Sequence, residues 1–196
     1  MVDFNKSKTK SNLAKLYAGE CQDGARYQFI AQQANTDKLS YLMDTMKILA
    51  KNEMAHAKIF YDLILEHGGE SLDNIDITAG YPFPTYQLVP GLQLTAKAEA
   101  SQSNTIYPTF AKTAKEEGYP DVAKAMLMVA EVENLHAKIL TELFEKTKSK
   151  KLYKMASPSV WKCSKCGYEK EGKEAWKTCP LCHYDQGYVQ LHLENK

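Results

Sequence analysis

Apolar residues recur at alternating steps of three and four along two stretches of the chain, residues 42–63 and 122–143. Side chains at this spacing lie on one face of an α-helix. Each apolar face is interrupted at the same place by a glutamate and, three positions later, a histidine. Burying these groups without a partner costs many kcal/mol, so the pattern predicts a cation between them. The two pairs are Glu53 with His56 and Glu133 with His136.

The periodicity predicts four helices between residues 11 and 147. Good N-cap residues precede the first helix, and glycines follow the second and the third. Pro108 lies inside the third helix and removes its bond to the carbonyl of Asn104, which predicts a kink or bulge. The predicted helices run from Ser11 or Asn12 onward, from about Asp37 to His67, from Gly91 or Leu92 to Glu117, and from Pro120 to about Lys146.

Residues 70–91 do not fit a helix or a central strand, because they contain Gly80, Pro82, Pro84, Pro90 and Gly91. A connection of about 22 residues reaches up to roughly 70 Å, whereas a helix of about 30 residues spans roughly 45 Å. The connection can therefore return along the bundle. Four helices with one long crossover between helices two and three form an all-α, ferritin-like four-helix bundle.

An internal repeat supports this bundle. A shift of about 80 positions superposes the first two helices on the last two. Two such halves would face each other across a pseudo-twofold axis. The superposed residues are Glu20 with Glu99, Glu53 with Glu133, and His56 with His136.

These six residues have the composition of a carboxylate-bridged di-iron or di-manganese site. Four carboxylates balance the charge of two divalent ions in a low-dielectric core, and imidazole nitrogen suits iron. We expect Glu53 and Glu133 to bridge the ions. Glu20 and Glu99 would then be terminal ligands, and one histidine would bind each ion.

Four of the five cysteines form two Cys-x-x-Cys pairs near the C-terminus, which indicates metal ligation rather than disulfides. So small a module needs a metal to fold. Four thiolates suit zinc or a single iron, and the spacing does not decide between them. A neighbouring di-iron site that turns over needs an electron supply, which favours iron. The four residues are Cys163, Cys166, Cys179 and Cys182, whereas Cys21 is assigned to packing.

These patterns divide the chain into three segments. We predict a ferritin-like di-iron domain at residues 1–147, a lysine- and serine-rich linker at 148–159, and a small metal-binding domain at 160–196. A net charge of +1 with one arginine argues against a nucleic-acid partner. No apolar run is long enough for a membrane span, and the polar N-terminus lacks a signal-type core, so a soluble, cytoplasmic protein is predicted.

The chain resembles the rubrerythrin family over nearly its whole length. The matching stretches combine both predicted metal sites with the residues around them. They are Ala18-Gly19-Glu20 with Tyr27, Glu53-x-x-His56-Ala57, Ile106-Tyr107-Pro108 with Phe110-Ala111, Glu116-Glu117-Gly118-Tyr119, Glu133-x-x-His136, Trp161-Lys162-Cys163-Ser164-Lys165-Cys166-Gly167-Tyr168 and Cys179-Pro180-Leu181-Cys182.

The resemblance implies a peroxidase of oxidative-stress defence that reduces hydrogen peroxide to water at two bridged irons. It implies that residues 160–196 form a rubredoxin-like β domain, in which a single iron held by four cysteines relays electrons from an NAD(P)H-linked reductase or a rubredoxin-type donor. It also suggests a head-to-tail homodimer. The alternatives are a ferritin-like iron-binding or ferroxidase protein with a structural zinc ribbon, a di-iron enzyme that acts on oxygen or an organic substrate, and a redox sensor.

One position departs from the family pattern. Rubrerythrins usually carry a glutamate three residues after the helix-three ligand, where this chain has Gln102. We expect Gln102 to hydrogen-bond near the metals rather than to ligate. His56 should then stay bound in both redox states, and loss of a carboxylate should favour the diferrous form. Asp23, the repeat counterpart, is assigned a supporting role, with ligation as the alternative.

Two tyrosines resemble residues that lie near the metals in the family. The hydroxyls of Tyr27 and Tyr107 could donate hydrogen bonds to the terminal glutamates and hold them in place. Packing in the aromatic core is the alternative role for both.

Overall fold

The computed structural model describes residues 2–69, 72–83 and 87–191. A π-helical turn, Gln102–Ile106, joins the third and fourth α-helices into one rod. With this rod, the described helices form a four-rod bundle, as predicted. The elements are α1 Lys8–Thr36, α2 Ser40–Gly68, α3 Leu88–Ser101, α4 Tyr107–Glu117, α5 Pro120–Lys148, β1 Lys154–Cys163, β2 Glu169–Glu174 and β3 Val189–Leu191.

The four rods lie around the bundle in the order α1, α2, α5 and the α3–α4 rod. Helix α1 packs along α2, α5 packs along the α3–α4 rod, and contacts of α1 with α4 and of α2 with α5 close the bundle. The crossover between α2 and α3 lies along α1. There the Tyr81 hydroxyl donates to the carbonyl of Lys15 at 3.0 Å, and Arg26 donates to the carbonyl of Pro82 at 2.6 Å. Pro84 lies outside the described residues.

Helix α1 begins at Lys8, earlier than the predicted Ser11 or Asn12. Ser7 caps it, because its Oγ accepts a hydrogen bond from the amide of Lys10 at 3.0 Å. The carboxylate of Glu117 accepts from the amides of Lys8 at 3.0 Å and Thr9 at 2.8 Å. The start of α1 is therefore set partly by Glu117, the last residue of α4.

Two other predicted helix starts were also displaced. Helix α2 begins at Ser40 rather than Asp37, after a turn in which Lys38 has a positive φ of 56°. Helix α3 begins at Leu88, so Pro90 and Gly91 belong to its first turns and not to the crossover. Proline is tolerated there because the first amides of a helix have no intrahelical acceptor.

The bulge predicted from Pro108 is confirmed as the π-helical turn. The amide of Tyr107 bonds to the carbonyl of Gln102, five residues back. This turn also explains an irregularity in the repeat. Glu20 and Glu99 are 79 positions apart, whereas Tyr27 and Tyr107 are 80 apart, because the extra residue of the π turn lies between Glu99 and Tyr107.

The bundle interior consists of two apolar clusters with the polar residues between them. One cluster is built around Leu13, Phe60 and Met126, and the other around Leu42, Met46 and Leu140. All six side chains are buried. The glutamates and histidines of the predicted metal site are thus enclosed by apolar layers on both sides along the bundle axis.

The C-terminal strands form a three-stranded antiparallel sheet in the order β2-β1-β3. Its small core contains Trp161, Ala175 and Val189. Strand β1 begins at Lys154, so residues 154–159 are strand rather than the predicted solvated linker. The division of the chain into domains stays a prediction.

The small sheet lies against the end of the bundle where α2 begins. The Ser164 and Ser40 hydroxyls are 3.5 Å apart, and the Gln190 amide donates to the carboxylate of Asp44. Leu152 packs into the bundle cluster around Leu42. None of the described helices is both long and apolar enough to cross a membrane.

Candidate metal centres

The structure brings together the six predicted ligands of the bundle in the polar layer between the apolar clusters. Each of the four rods contributes. All six are buried, with exposed fractions of 7% or less. The residues are Glu20 on α1, Glu53 and His56 on α2, Glu99 on α3, and Glu133 and His136 on α5.

The six residues form two overlapping groups of potential ligand atoms. In each group the atoms lie within 4.8 Å of one another. Glu53 and Glu133 belong to both groups, which is the arrangement that two bridging carboxylates need. Glu20 and His56 complete one group, whereas Glu99 and His136 complete the other.

The two histidines reach across the bundle in the same way. The Nδ1 atom of His56 lies 2.8 Å from Glu133 Oε1 and 3.2 Å from Glu53 Oε2. The Nδ1 atom of His136 lies 2.8 Å from Glu53 Oε1 and 2.9 Å from Glu133 Oε2. Each imidazole therefore faces the carboxylate of its own helix and that of the opposite helix, as the pseudo-twofold repeat requires.

Burial of the carboxylates and repulsion between them raise the free energy of the ionised cluster. Burial, together with the neighbouring charges of Glu133 and Glu53, raises the pKa of Glu20 well above its usual range. Burial and the charge of Glu133 do the same for the pKa of Glu99. The carboxylates thus require positive charge nearby.

In the metal-free protein the imidazoles partly supply that charge. Burial by itself would lower the pKa of His56, but hydrogen bonds to Glu133, Glu20 and Glu53 outweigh it and raise the pKa to about 12. Burial likewise opposes the same kind of bonds at His136, whose pKa rises to about 9. Divalent cations would replace these protons, because only the neutral imidazole ligates.

Unpartnered oxygen atoms show that the cluster fits metal ions. Both carboxylate oxygens of Glu99 are buried and receive no hydrogen bond from the residues described. Buried polar atoms are normally satisfied, so such a pair indicates a missing ligand. Two cations with oxygen and imidazole donors would satisfy Glu99 and neutralise the four carboxylates together.

Tyr107 and Tyr27, which the repeat makes equivalent, have different surroundings. The hydroxyl of Tyr107 donates a hydrogen bond to Glu20 Oε1. The hydroxyl of Tyr27 is buried and has no hydrogen-bond partner within residues 2–69, 72–83 and 87–191. Of these two tyrosines, Tyr107 alone holds a terminal glutamate within the described part of the chain.

Gln102 and Asp23 lie beside the cluster but belong to neither metal group. The Nε2 atom of Gln102 donates to Asp23 Oδ2 at 2.8 Å. Asp23 also forms an ion pair with Arg26, and both side chains are almost fully buried. Asp23 is thus engaged by two donors, which favours the supporting role over ligation.

Sequence reasoning missed two polar residues near the cluster. Arg26 pairs with Asp23, and its charge acts on Glu99 and Glu53. Its position three residues after Asp23 on the same helix is the signal that could have revealed the pair. Asn52 Nδ2 lies 3.3 Å from His136 Nε2, and no motif marked it.

The four C-terminal cysteines also come together, with their sulfur atoms within 4.8 Å of one another. Two knuckle turns present them. The amide of Gly167 bonds to the carbonyl of Cys163, and the amide of His183 bonds to that of Cys179. Gly167 and His183 occupy equivalent positive-φ positions. Four converging sulfurs match a tetrahedral thiolate site.

Backbone amides prepare one of these thiols for metal binding. Burial by itself would raise the pKa of Cys179, but hydrogen bonds from the amides of Cys182 and Leu181 outweigh it and lower the pKa to about 7. The thiolate is the form that ligates a metal. Cys179 is therefore close to its ligating form at neutral pH.

Comparison with known proteins agrees with this geometry. The rubrerythrin family model matches residues 11–89 and 91–163, and the model of the rubrerythrin rubredoxin-like domain matches residues 161–189. The chain is 34% identical to rubrerythrin of Clostridium perfringens, with 99% of each chain covered. It is 35% identical to rubrerythrin-1 of Clostridium acetobutylicum over the full length of both.

Solved structures show the same fold. A structure of nigerythrin in a mixed-valence state superposes with a TM-score of 0.62 at 21% identity, covering 98% of this chain and 94% of the other. The Glu/His cluster of the bundle is accordingly a di-iron site, and the four cysteines form a rubredoxin-like site. From the family models and full-length identity, the chain belongs to the rubrerythrin family.

Proposed function

We propose that this protein is a peroxidase of oxidative-stress defence that reduces hydrogen peroxide to water at the bundle cluster. The observation that carries the proposal is the pair of overlapping ligand groups that share Glu53 and Glu133. Two ferrous ions held by the six ligands would supply both electrons for cleavage of the O–O bond, so that no hydroxyl radical is released. Glu53 and Glu133 would be shared by the two ions, whereas Glu20, His56, Glu99 and His136 would each bind one.

The protein residues around the cluster hold its geometry and limit access of water. Tyr107 fixes Glu20 by donating to Oε1, and the other oxygen, Oε2, which lies 3.5 Å from His56 Nδ1, could then bind an ion. Apolar clusters above and below the polar layer exclude bulk solvent. Charges in such a dry site interact more strongly than they would in water. The cluster is thus preorganised to bind a small, polar oxidant.

Gln102 should alter the response of the cluster to oxidation. Its amide is held by Asp23, and a neutral amide is a poor replacement for a carboxylate. We infer that His56 stays bound in both redox states and that the diferrous form is favoured. A redox titration of the native protein and of Gln102→Glu tests this inference. A native potential equal to or lower than that of the variant contradicts it.

Electrons would reach the bundle through the four-cysteine iron, from an NAD(P)H-linked reductase or a rubredoxin-type donor. Within one chain this path is long. Ser164 lies beside Ser40, and Glu53 follows Ser40 by 13 positions on α2. Because an α-helix rises 1.5 Å per residue, the two metal centres of one chain are about 20 Å apart. Electron transfer slows exponentially with distance, so a shorter path from a second copy would be faster.

The outer faces of α2 and α5 support a homodimer of this kind. These neighbouring helices expose several large apolar side chains, and a surface of this kind is typical of an interface between proteins. A second copy of the chain would cover this surface and could bring its cysteine module near the cluster. The exposed residues are Ile48, Met54, Ile59, Tyr61, Leu65, Leu127, Met128, Leu135 and Ile139.

The decisive assay follows NAD(P)H oxidation by the anaerobically iron-loaded protein with a reductase, on addition of hydrogen peroxide or of oxygen. Glu133→Ala should abolish peroxide reduction, because it removes a ligand from both groups. The matched control is Glu131→Ala, an exposed residue on the same helix, which should keep full activity. Faster turnover with oxygen, or an active Glu133→Ala, would reject the proposal.

A further inference from the structure

A cavity of about 580 Å³ lies between α1 and the α3–α4 rod, directly beside the di-iron cluster. The metal ligand Glu20 and its partner Tyr107 line its inner end, together with Asp23 and Gln102. A molecule in this cavity therefore reaches the cluster without crossing any other side-chain layer.

Crossover residues 79–82 cover the cavity on its outer side. Two hydrogen bonds fix this cover to α1, from Tyr81 to the carbonyl of Lys15 and from Arg26 to the carbonyl of Pro82. Beneath it lies Gly19, where an added Cβ would be in ordinary van der Waals contact with the Tyr81 ring at 3.6 Å. The cavity thus has a tethered wall and is not a random gap between helices.

The cavity is much larger than hydrogen peroxide requires. A water molecule occupies about 30 Å³, so a molecule of two oxygen atoms needs roughly 60 Å³. Volumes of roughly 300–1,000 Å³ are typical of pockets for larger organic ligands. Apolar side chains also line the cavity: Leu16, Leu94, Ile106 and Phe110.

We propose that alkyl hydroperoxides are substrates of this protein and bind with the peroxide group at the Glu20 end and the hydrocarbon chain along the apolar wall. This inference rests on the proposed peroxidase function and extends it to a second substrate class. Its basis is that one cavity contains both the metal ligand Glu20 and a set of apolar side chains, and burial of hydrocarbon against such side chains favours binding.

The reaction balances with the same reductant. The O–O bond of ROOH would be cleaved with two electrons supplied by the bound ferrous pair and two protons from solvent, which gives ROH and water. The four-cysteine centre would return the two electrons. Hydrogen peroxide is the case in which R is hydrogen.

The proposed homodimer leaves the cavity accessible. In the rod order α1, α2, α5, α3–α4, the apolar surface of α2 and α5 lies on the side of the bundle opposite the cavity. Lys15 and Lys97 line the cavity. Since Lys97 is exposed, the cavity opens to solvent beside this positively charged residue.

The test compares hydrogen peroxide, tert-butyl hydroperoxide and n-octyl hydroperoxide as substrates of the iron-loaded, full-length protein. For the native protein, kcat/KM should be higher for n-octyl than for tert-butyl hydroperoxide. Leu94→Trp, which narrows the cavity, should lower the n-octyl to hydrogen peroxide ratio of kcat/KM by roughly tenfold or more. The control Gln93→Trp places the same bulk on a neighbouring exposed position of α3 and should leave the ratio unchanged.

Calorimetry of n-octyl alcohol, the unreactive product, provides a readout independent of turnover. The oxidised native protein should bind it, and Leu94→Trp should weaken binding by roughly tenfold. Reduction of hydrogen peroxide without reduction of n-octyl hydroperoxide, or an unchanged ratio in Leu94→Trp, would overturn this inference and leave the peroxidase proposal intact. Failure with every peroxide would reject both.

Discussion

The two metal centres of this chain depend on their metals in different ways. The bundle centre takes its six ligands from four rods whose apolar clusters are extensive and independent of any ion. The cysteine centre lies in a three-stranded module whose own core is built around only Trp161, Ala175 and Val189 among the described residues. An ion in the bundle relieves repulsion within a frame that already exists, whereas an ion in the module replaces a missing core.

This difference predicts that losing the metal will unfold the cysteine module but only weaken the bundle. In the module, four thiolates converge with too little apolar area to hold them, so the folded state needs the ion. In the bundle, buried carboxylates repel one another, so the metal-free frame is folded but carries a penalty. Variants at the two centres should therefore distinguish a metal that is needed for folding from a metal that relieves repulsion between carboxylates.

The largest effect is expected at the cysteine centre. Cys179→Ser removes a fully buried ligand, and the C-terminal module should lose its tertiary structure while the helical bundle persists. Amide hydrogen exchange measured along the chain, with the visible spectrum of the tetrathiolate iron, reports both parts. Cys21→Ser is the control and should retain the spectrum. A protected module in Cys179→Ser would contradict the difference between the two centres.

The next effect is on the free energy of unfolding of the bundle, and its sign depends on whether metal is bound. Glu99→Leu removes two buried oxygens that lack hydrogen-bond donors among the described residues. It should raise the free energy of unfolding of the metal-free bundle by about 1–4 kcal/mol, because a buried carboxyl group without a hydrogen-bond donor is replaced by an apolar group. Iron stoichiometry at the bundle should fall from two to one.

Urea denaturation and metal analysis measure the two halves of this prediction. Glu131→Leu, at an exposed position, should change the free energy of unfolding by less than about 0.5 kcal/mol. A metal-free Glu99→Leu that is less stable than the native protein would show that Glu99 is not under strain.

A smaller effect tests the asymmetry between the two buried tyrosines. Tyr107→Phe removes the donor to Glu20 and should weaken iron binding by roughly tenfold to a hundredfold, as loss of a ligand's hydrogen-bond partner does. Tyr27→Phe removes a hydroxyl with no partner in the described structure and should change iron affinity less. Competition with a coloured iron chelator measures both. Equal losses in the two variants would contradict the asymmetry.

The smallest effect concerns the frame itself. Glu117→Gln weakens the cap on α1 and should lower the free energy of unfolding of the bundle by about 1 kcal/mol. Burial would raise the pKa of Glu117, but hydrogen bonds from Thr9 and the amide of Lys8 lower it overall. Its contribution is therefore present above the ordinary carboxyl pKa and lost as pH falls through the lowered value.

Thermal unfolding across acidic pH checks this dependence, with the exposed neighbour Glu116→Gln as the control. The native protein and Glu117→Gln should converge at low pH, while the cysteine module keeps its spectrum in both at neutral pH. A constant difference between the two proteins at all pH values would reject the assigned role.

The rods and the metal ligands were predictable because both depend on helical spacing. A regular apolar face is interrupted by Glu53, His56, Glu133 and His136. Such a local pattern can be recognised in the sequence without knowing the fold. Pro108 likewise predicts the bulge through its missing amide. These features depend on neighbours close in the sequence.

The remaining features depend on contacts between distant residues. The start of α1 is set partly by Glu117, more than a hundred positions away, and Pro90 opens α3 where the sequence suggested a crossover. Arg26 and Asn52 became visible as neighbours of the cluster only after the rods were packed. One wall of the cavity likewise depends on the hydrogen bond from Tyr81 to α1.

The π-helical turn in the third rod also shapes how the two halves of the bundle can diverge. An added residue rotates the rest of a regular helix by about 100°, so Glu99 and Tyr107 both point inward only because the turn absorbs that rotation. Gln102, Thr105 and Ile106 from this turn line the cavity, and α1 has no corresponding insertion. The ligand cluster is nearly symmetric, but the cavity adjoins the rod that contains the π-helical turn. Substrate choice can therefore diverge on that side of the bundle while the ligands on the opposite side remain unchanged.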